Sequence, residues 1–329
     1  MKRAQYTQRG PVPHESIEAV DFTLPPPAAG EALVQVLAAP INPSDVLTLT
    51  GEYGVLPPLP AVGGNEGVGK VIALGADAAL AIGQTVLLPA GLGTWATHMQ
   101  ADAKRFIPVP GDADPLQLAM MRINPTTALL LLSDFVALEP GEWVIQNAAN
   151  SGVGAYLIEL ARLRGLKTVN IVRRESAVDT VRALGADVVL VEGPGLAKRV
   201  AEATNSAKIR LGIDAVGGKS TDRLASCLTE GGVLVNYGIM SGEPCQVSPN
   251  SFIFKDVTLR GFWLVHWFRR STPERQRAVF GEIGTLMAKG NLKTRIHATY
   301  DITEIKQAIA AAASGERDGK ILIVPTVTQ

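Results

Sequence analysis

The sequence is poor in cysteine, has no excess of charge of either sign and lacks long apolar runs. Its two cysteines, Cys227 and Cys245, are too few for a disulfide framework, and no Cys-x-x-Cys or His-x-x-x-His spacing predicts a zinc site. The 31 Lys and Arg residues balance 31 Asp and Glu residues without forming long blocks, which argues against a nucleic-acid partner. No segment approaches the roughly 18 uninterrupted apolar residues of a membrane helix, so we expect no membrane partner.

The N-terminal segment also lacks the apolar run of a secretory signal, because Gly10 and Pro11 follow its basic start. Together with the low cysteine content, this predicts a cytoplasmic protein. What the chain does contain is 47% hydrophobic residues in 329, which is typical of a globular protein of about two domains.

The sequence has two regions with different residue patterns. Residues 1–117 are rich in proline and glycine between short apolar stretches, a pattern typical of short strands joined by turns. Residues 118–261 alternate helical patterns with β-branched runs, which is the signature of βαβ units and a parallel sheet. We therefore predict an α/β fold with a doubly wound domain over 118–261, and a β-rich domain made from 1–117 and 262–329.

The clearest βαβ unit carries a candidate nucleotide loop between a strand at 143–147 and an amphipathic helix. A dinucleotide fold needs small residues there, because the backbone must approach the pyrophosphate and the helix must pack closely on the strand. Against the G-x-G-x-x-G pattern, only Gly154 occupies a required glycine position, while Ala149 and Ser151 occupy the other two. The setting favours a dinucleotide site, and a strand-to-helix turn without a ligand is the alternative. The candidate residues are Asn150, Ser151, Gly152, Val153 and Gly154.

Arg173 and Arg174 follow the second predicted strand, about twenty residues after the loop, where an NAD enzyme carries a carboxylate for the ribose 2′-hydroxyl. A guanidinium suits a 2′-phosphate, whereas a carboxylate would repel it. The pair therefore favours NADPH, with two solvated arginines at a strand end as the alternative.

Several motifs match one family, and they extend over nearly the whole chain. They are Ile41-Asn42-Pro43-Ser44-Asp45, residues 61–68, Gln146-Asn147 with residues 150–154, residues 216–220, and Gly261-Phe262-Trp263-Leu264. In these motifs the chain resembles the medium-chain dehydrogenase/reductase superfamily and, within it, the mitochondrial-type trans-2-enoyl-thioester reductases. The resemblance implies a GroES-like β-rich catalytic domain, a Rossmann cofactor domain, an active site in the cleft between them, and a homodimer joined through the sheet edges of the cofactor domains.

The resemblance also implies a zinc-free enzyme. Related zinc alcohol dehydrogenases carry a ligand cysteine near Pro43 or Ser44 and a ligand histidine where this chain has Asn65. Without a metal, NADPH can deliver hydride to the β-carbon of a conjugated thioester, and the site must supply a proton to the α-carbon and donors to the carbonyl oxygen. A tyrosine, with an ordinary pKa of about 10, carries such a proton at neutral pH. Tyr53 matches the catalytic tyrosine of the family.

Other positions are candidates by the same resemblance. Trp263, Phe262 and Asn42 are expected to line the substrate pocket, although ordinary packing and turn roles are the alternatives. Further cofactor contacts are predicted at Asn65, Thr127, Tyr237, Gly238 and Lys320. A flanking surface lysine is the alternative for the last of these. Arg269 and Arg270 either contact the phosphates of coenzyme A or an acyl carrier, or form a solvated charge pair.

The sequence therefore predicts NADPH-dependent reduction of the 2,3-double bond of a 2-enoyl thioester, carried by CoA or acyl carrier protein, in fatty acid metabolism. A reductase of quinones or other activated alkenes on the same scaffold is one alternative. A non-catalytic NADPH-binding protein is another, because this type of fold serves several functions. The length of the acyl chain is left open.

Overall fold

The computed structural model describes residues 1–314 and 318–326. The chain forms two compact units, which we call the split unit (Met1–Ile123 with Ala278–Gln329) and the inserted unit (Asn124–Arg277). Within the described residues, no helix is both long and apolar enough to cross a membrane.

The first part of the split unit consists mainly of strands. Its helices and strands are β1 (Lys2–Tyr6), β2 (Ile17–Asp21), β3 (Glu31–Pro40), α1 (Pro43–Thr50), β4 (Ala61–Val62), β5 (Val68–Leu74), β6 (Thr85–Leu87), β7 (His98–Asp102), β8 (Ile107–Pro108) and α2 (Pro115–Leu118). Helix α1 begins at Pro43, whose fixed φ suits a first helical position. It ends at Gly51, which adopts a φ of 88° that glycine tolerates without steric cost.

The inserted unit alternates strands and helices. Its elements are α3 (Asn124–Ser133), β9 (Trp143–Gln146), α4 (Gly152–Leu163), β10 (Lys167–Val172), α5 (Val178–Arg182), β11 (Val188–Val191), α6 (Leu196–Thr204), β12 (Ile209–Asp214), α7 (Gly218–Cys227), β13 (Val233–Asn236), β14 (Thr258–Gly261) and α8 (Leu264–Arg270). The six strands form one parallel sheet in the order β11-β10-β9-β12-β13-β14. The strand order reverses between β9 and β12, and ligands of such sheets bind beyond the carboxyl ends of the strands at this point.

The last part of the chain contains α9 (Pro273–Ala288), β15 (Ile296–Tyr300), α10 (Ile305–Ala313) and β16 (Lys320–Ile323). The split unit has a three-stranded sheet, β2-β1-β4, and a seven-stranded sheet, β15-β16-β3-β5-β6-β8, with β7 paired to β3. Alternate side chains of β3 are buried, as expected for a strand with one face on a core.

The second division between the units falls within α9, at Arg277, whereas the sequence predicted a boundary at 261/262. The reason lies in two contacts within the inserted unit. Arg275 Nη2 lies 3.0 Å from Asp134 Oδ1, and the Gln276 amide donates to the Phe268 carbonyl oxygen at 3.0 Å. These bonds tie the first turn of α9 to α8 and to the end of α3, so α8 belongs to the inserted unit.

Candidate functional site

The nucleotide loop of the inserted unit lies at the carboxyl end of β9, directly before α4. Ser151 is the N-cap of α4, and its Oγ accepts a hydrogen bond from the Gly154 backbone N–H at 3.1 Å. The first N–H groups of a helix have no partners within it and carry partial positive charge, so this helix end suits a phosphate. Asn150 is exposed at the tip of the loop.

Gly154 has no room for a side chain. A Cβ at this position would lie 2.6 Å from the Ala149 carbonyl oxygen and 2.8 Å from that of Ala148. The glycine therefore lets the first turn of α4 pack directly on the loop, which is the role of the third glycine in a dinucleotide fingerprint. The loop geometry fits a pyrophosphate although only one of the three fingerprint glycines is present.

A buried carboxylate at the end of β12 organises the strand ends beside this loop. Asp214 is fully buried and accepts hydrogen bonds from Asn147 Nδ2 (2.6 Å), Thr221 Oγ1 (2.7 Å) and Asn236 Nδ2 (3.0 Å). Asn147 also accepts from the Ala215 backbone N–H at 2.7 Å. These bonds connect β9, β12 and β13 at the point where the strand order reverses. The sequence reasoning assigned no role to Asp214, although a carboxylate ending an apolar strand is a recognisable signal.

Arg173 and Arg174 lie directly after β10, at the same edge of the sheet. Both are exposed, and in the described part of the chain neither forms a salt bridge. Two arginines without an internal carboxylate partner are available to a ligand phosphate. Their position agrees with the predicted role at the 2′-phosphate.

The remaining predicted cofactor residues of the inserted unit lie on two elements. Tyr237 follows β13 and hydrogen-bonds to the Ser151 side chain; burial raises its pKa, so the phenol stays protonated at neutral pH. A Cβ at Gly238 would lie 2.6 Å from the Ala215 carbonyl oxygen, so this glycine also permits a close backbone approach. Thr127 is buried in α3. The structure thus brings Tyr237 to the nucleotide loop.

Tyr53 lies in the split unit, in the loop that follows α1. The side chain is half-buried, and its backbone N–H donates to the Leu47 carbonyl oxygen at 3.2 Å. Asn42 is at the opposite end of α1, as its N-cap. Helix α1, which is about 12 Å long, therefore lies in the chain between the predicted pocket asparagine and the loop of the predicted proton donor.

Asn42, Asn65 and Lys320 are brought together around two buried acids. Asn42 Nδ2 donates to Glu66 Oε1 at 2.7 Å, and Asn65 Nδ2 donates to Asp45 Oδ1 at 2.7 Å. The Lys320 ammonium donates to Asn42 Oδ1. We call these five residues the acid–amide cluster. The sequence reasoning assigned no role to Asp45 and Glu66.

The burial of Lys320 rules out the surface-lysine interpretation. Lys320 is the first residue of β16, is 6% exposed, and its ammonium points to Asn42. A buried ammonium requires a charged or strongly polar partner, and the acid–amide cluster supplies it. Lys320 is therefore not a surface lysine, and its ammonium is engaged inside the split unit.

Burial raises the pKa of both acids in the cluster. The pKa of Glu66 rises to about 7, although the Lys320 charge, the Asn42 amide and the Ile123 backbone N–H oppose the shift. The pKa of Asp45 rises to about 6 for the same reason, against hydrogen bonds from Asn42 and Asn65. The folded state therefore holds protons that the unfolded chain has already released between about pH 4 and pH 7.

We expect these acids to stabilise the fold below about pH 4 and to lose that contribution as the pH rises through 7. Replacing Glu66 with glutamine should remove the contribution of this carboxyl to the pH dependence of stability. Between about pH 5 and pH 8, the fall in the free energy of unfolding should then be smaller in the variant than in the wild type by about 2 kcal/mol. Urea titrations at both pH values measure the difference. Glu52→Gln, at an exposed position, is the matched control. Parallel pH profiles for wild type and Glu66→Gln would contradict the assignment.

The predicted pocket aromatics lie between β14 and α8. The Phe262 ring contacts Phe135 edge-to-face at 5.9 Å between centroids, and its backbone N–H donates to the Asn236 carbonyl oxygen at 2.8 Å. Trp263 is the N-cap of α8, and its ring lies 4.8 Å from that of His266. Both side chains are half-buried, and Arg269 and Arg270 are exposed at the other end of α8.

The residues at the zinc-ligand positions of related dehydrogenases do not fit zinc. Asn65 presents an amide nitrogen to Asp45, and such a nitrogen has no lone pair for a metal. Ser44 is in the first turn of α1 in place of a thiolate. Within residues 1–314 and 318–326, no group of three or more His, Cys, Asp or Glu side chains is placed to hold a metal ion.

Two family models match the chain. The alcohol dehydrogenase GroES-like domain matches residues 28–111, and the zinc-binding dehydrogenase family matches residues 152–279. The first match lies in the split unit and the second lies almost entirely in the inserted unit. The predicted fold class, a GroES-like β-rich domain with a doubly wound cofactor domain, is confirmed.

One relative and two solved structures show the likeness over nearly the full length. The mitochondrial enoyl-[acyl-carrier-protein] reductase of Rattus norvegicus is 40% identical over 91% of this chain and 82% of its own. The structure of the Etr1p/NADP/crotonyl-CoA complex is similar with a TM-score of 0.88, at 27% identity, over 98% of this chain and 99% of its own. A protein of Bacillus thuringiensis, provisionally named an NADPH:quinone reductase, has a TM-score of 0.89 at 28% identity, over 99% of both chains.

The names of the relatives correct one expectation. The sequence predicted a cytoplasmic protein, but the curated relatives, from rat to Arabidopsis thaliana, are named as mitochondrial. The cytoplasmic prediction is therefore contradicted. The prediction rested on charge, cysteine content and the first residues of the chain, and none of these features indicates the location named for the relatives.

Proposed function

Because this chain belongs to the mitochondrial-type enoyl-thioester reductases of the medium-chain dehydrogenase/reductase superfamily, we propose that it reduces the 2,3-double bond of a 2-enoyl thioester with NADPH. The observation that carries the proposal is the likeness, over 98% of the chain, to a structure that holds both NADP and crotonyl-CoA. The 40% identity to an enoyl-[acyl-carrier-protein] reductase supports it independently. The predicted family, enzyme class and cofactor are confirmed.

The inserted unit offers the residues that would hold NADPH. The loop at residues 150–154 and the N-terminus of α4 suit the pyrophosphate, and the close packing of α4 on the loop that Gly154 permits is the evidence of fit. Arg173 and Arg174 would take the 2′-phosphate, and Tyr237 would orient Ser151. When bound, NADPH supplies hydride for the β-carbon of the substrate.

The split unit would supply the proton. The Tyr53 side chain is half-buried, and in the proposed reaction its O–H donates a proton to the α-carbon as the enolate collapses to the saturated thioester. The resulting phenolate regains a proton from water. Asn42, Phe262 and Trp263 are proposed to contact the acyl thioester, with the split unit as the catalytic domain and the inserted unit as the cofactor domain.

The substrate and its metabolic setting follow from the same family. We propose a thioester of CoA or acyl carrier protein, consumed in fatty acid metabolism. The exposed guanidinium groups of Arg269 and Arg270 are suited to the phosphates of either carrier.

The proposal is tested by the initial rate of NADPH oxidation with crotonyl-CoA, with hexenoyl-CoA and with a quinone. We expect the enoyl thioesters to be turned over and their product to be the saturated acyl-CoA. A quinone turned over with no reduction of either thioester would contradict the proposal. That outcome would favour the second candidate, a quinone reductase, for which the similarity to the Bacillus thuringiensis protein is the specific observation. No NADPH oxidation with any of these substrates would favour a non-catalytic NADPH-binding protein.

A homodimer through the inserted unit is proposed from one edge of its sheet. Strand β14 ends the sheet and, within the described residues, pairs only with β13. The π-helical turn Asn250–Phe254 before it exposes Phe252, Ile253 and Phe254, the last at 75%. Exposed edge strands and apolar patches are typical of interfaces, and the same strand in a second copy can pair with this edge about a two-fold axis. Sedimentation equilibrium should give twice the chain mass.

A further inference from the structure

The loop that carries Tyr53 receives little support from the core. Residues 51–60, which we call the Tyr53 loop, connect α1 to β4 without a helix or strand. Three apolar side chains of this loop, Val55, Leu56 and Leu59, are 38% to 50% exposed. A segment with few buried apolar contacts has low local stability, and its position depends on specific polar ties.

Arg9 supplies such ties to both parts of the loop. Its stem lies over Gly51, where a Cβ would come 3.6 Å from Arg9 Cδ. Its Nη2 donates a hydrogen bond to the Pro57 carbonyl oxygen. The neighbouring Gly10 backbone N–H donates to the Leu49 carbonyl oxygen at 3.1 Å. One side chain therefore contacts the loop before and after Tyr53.

Arg9 is itself held on a rigid base. Its Cζ lies 5.9 Å from the centroid of the Tyr6 ring, within the range of a cation–π contact. Tyr6 is 2% exposed and packs in the same apolar cluster as Leu49 and Trp95. The contact with Tyr6 thus holds the guanidinium against the core, and the contacts with Gly51 and Pro57 hold the loop against the guanidinium.

We propose that Arg9 is a positioning residue for Tyr53, because it ties Gly51 and Pro57, which lie on either side of the tyrosine, to the core residue Tyr6. The inference rests on the proposed function, in which Tyr53 donates the proton. Misplacing a reacting group by about 1 Å can cost about a hundred-fold in rate. Loosening the loop should therefore slow turnover without altering the residues proposed for the NADPH phosphates, which lie on the inserted unit.

A double-mutant cycle tests the proposal. We expect Arg9→Ala to lower kcat on crotonyl-CoA about ten- to a hundred-fold, with KM for NADPH unchanged. In a Tyr53→Phe background the same change should have almost no further effect, because the group that Arg9 positions is already absent. Arg9→Lys keeps the stem over Gly51 and one donor for Pro57, so it should recover part of the rate. It also replaces Arg9→Ala in the cycle if that variant does not fold.

Arg3→Ala is the matched control, because Arg3 also lies over an aromatic ring, 5.2 Å from the centroid of Phe22, and belongs to β1. It should leave kcat unchanged. If Arg9→Ala lowers kcat by the same factor in the wild-type and Tyr53→Phe backgrounds, the positioning role is overturned while the reductase function stands. An equal loss from Arg3→Ala would overturn it as well. If the wild type fails to reduce crotonyl-CoA, the proposed function itself fails, which the first measurement of the cycle shows separately.

Discussion

Replacing Tyr53 with phenylalanine is expected to lower kcat for crotonyl-CoA reduction by about 100- to 10,000-fold, which is the usual range for loss of a general acid. The ring remains, so packing of the half-buried side chain is kept and only the hydroxyl is lost. The Kd for NADPH should stay the same, because the residues proposed to hold its phosphates lie on the inserted unit and the Tyr53 hydroxyl is not a proposed cofactor contact. Steady-state rates and a fluorescence titration with NADPH measure the two quantities.

Tyr300→Phe provides the control for Tyr53→Phe. Tyr300 is the last residue of β15 in the same unit and is also half-buried, so its variant loses the same hydroxyl at a site with no proposed chemistry. Its kcat should equal that of the wild type. A Tyr53→Phe enzyme with unchanged turnover would remove the proton-donor role, and an equal fall in both variants would indicate a general effect on the fold.

The second large effect concerns the choice of cofactor. Replacing Arg173 and Arg174 together with alanine should weaken NADPH binding about 10- to 100-fold, since each charge-assisted hydrogen bond contributes about 1.5 to 3 kcal/mol before solvent exposure reduces it. Binding of NADH, which has no 2′-phosphate, should change little. Calorimetric titrations of both cofactors give the ratio of the two Kd values directly.

A second double variant distinguishes a direct contact with NADPH from an effect of net charge on NADPH binding. Lys167, the first residue of β10, and Lys208, directly before β12, are exposed at the amino ends of parallel strands, opposite the edge that carries the two arginines. Replacing both with alanine removes the same number of positive charges away from the nucleotide loop. This variant should bind NADPH nearly as the wild type does, because exposed charges beyond about 10 Å are largely screened at ordinary salt. If the arginine variant weakens NADH as much as NADPH, the two arginines do not recognise the 2′-phosphate.

The sequence predicted the inserted unit well because its signals are local. The strand at 143–147 and the following helix correspond to β9 and α4, and the second predicted strand, before Arg173, is β10. Periodicity and turn residues specify such βαβ units over short distances. The same local patterns predicted the position of Arg173 and Arg174 directly after β10.

The sequence could not predict the contacts made between distant segments. Lys320 lies 278 positions from Asn42, and its burial beside Glu66 depends on β16 pairing with β3. Asp45 is recognisable as a helix N-terminal acid, but its bond to Asn65 joins α1 to the segment between β4 and β5, and no local pattern encodes that approach. The hydrogen bond from Arg9 to the Pro57 carbonyl oxygen also joins distant segments, so no local pattern predicts it.

The division between the compact units differs from the predicted boundary at 261/262 for a related reason. The sequence predicts the end of the domain at residue 261, which is also where the last parallel strand, β14, ends. Helix α8 continues the inserted unit through the bond from Gln276 to the Phe268 carbonyl, which periodicity does not reveal. Composition likewise carried no information on the mitochondrial location of the relatives.

The most direct test of the central claim is the position of deuterium in the product. Crotonyl-CoA is reduced by the wild-type protein in D2O with ordinary NADPH, and the butyryl-CoA is analysed by NMR and mass spectrometry. The account predicts one deuterium at the α-carbon, because that hydrogen comes from an exchangeable hydroxyl, and none at the β-carbon. Deuterium at the β-carbon, or NADPH consumption without butyryl-CoA, would contradict it.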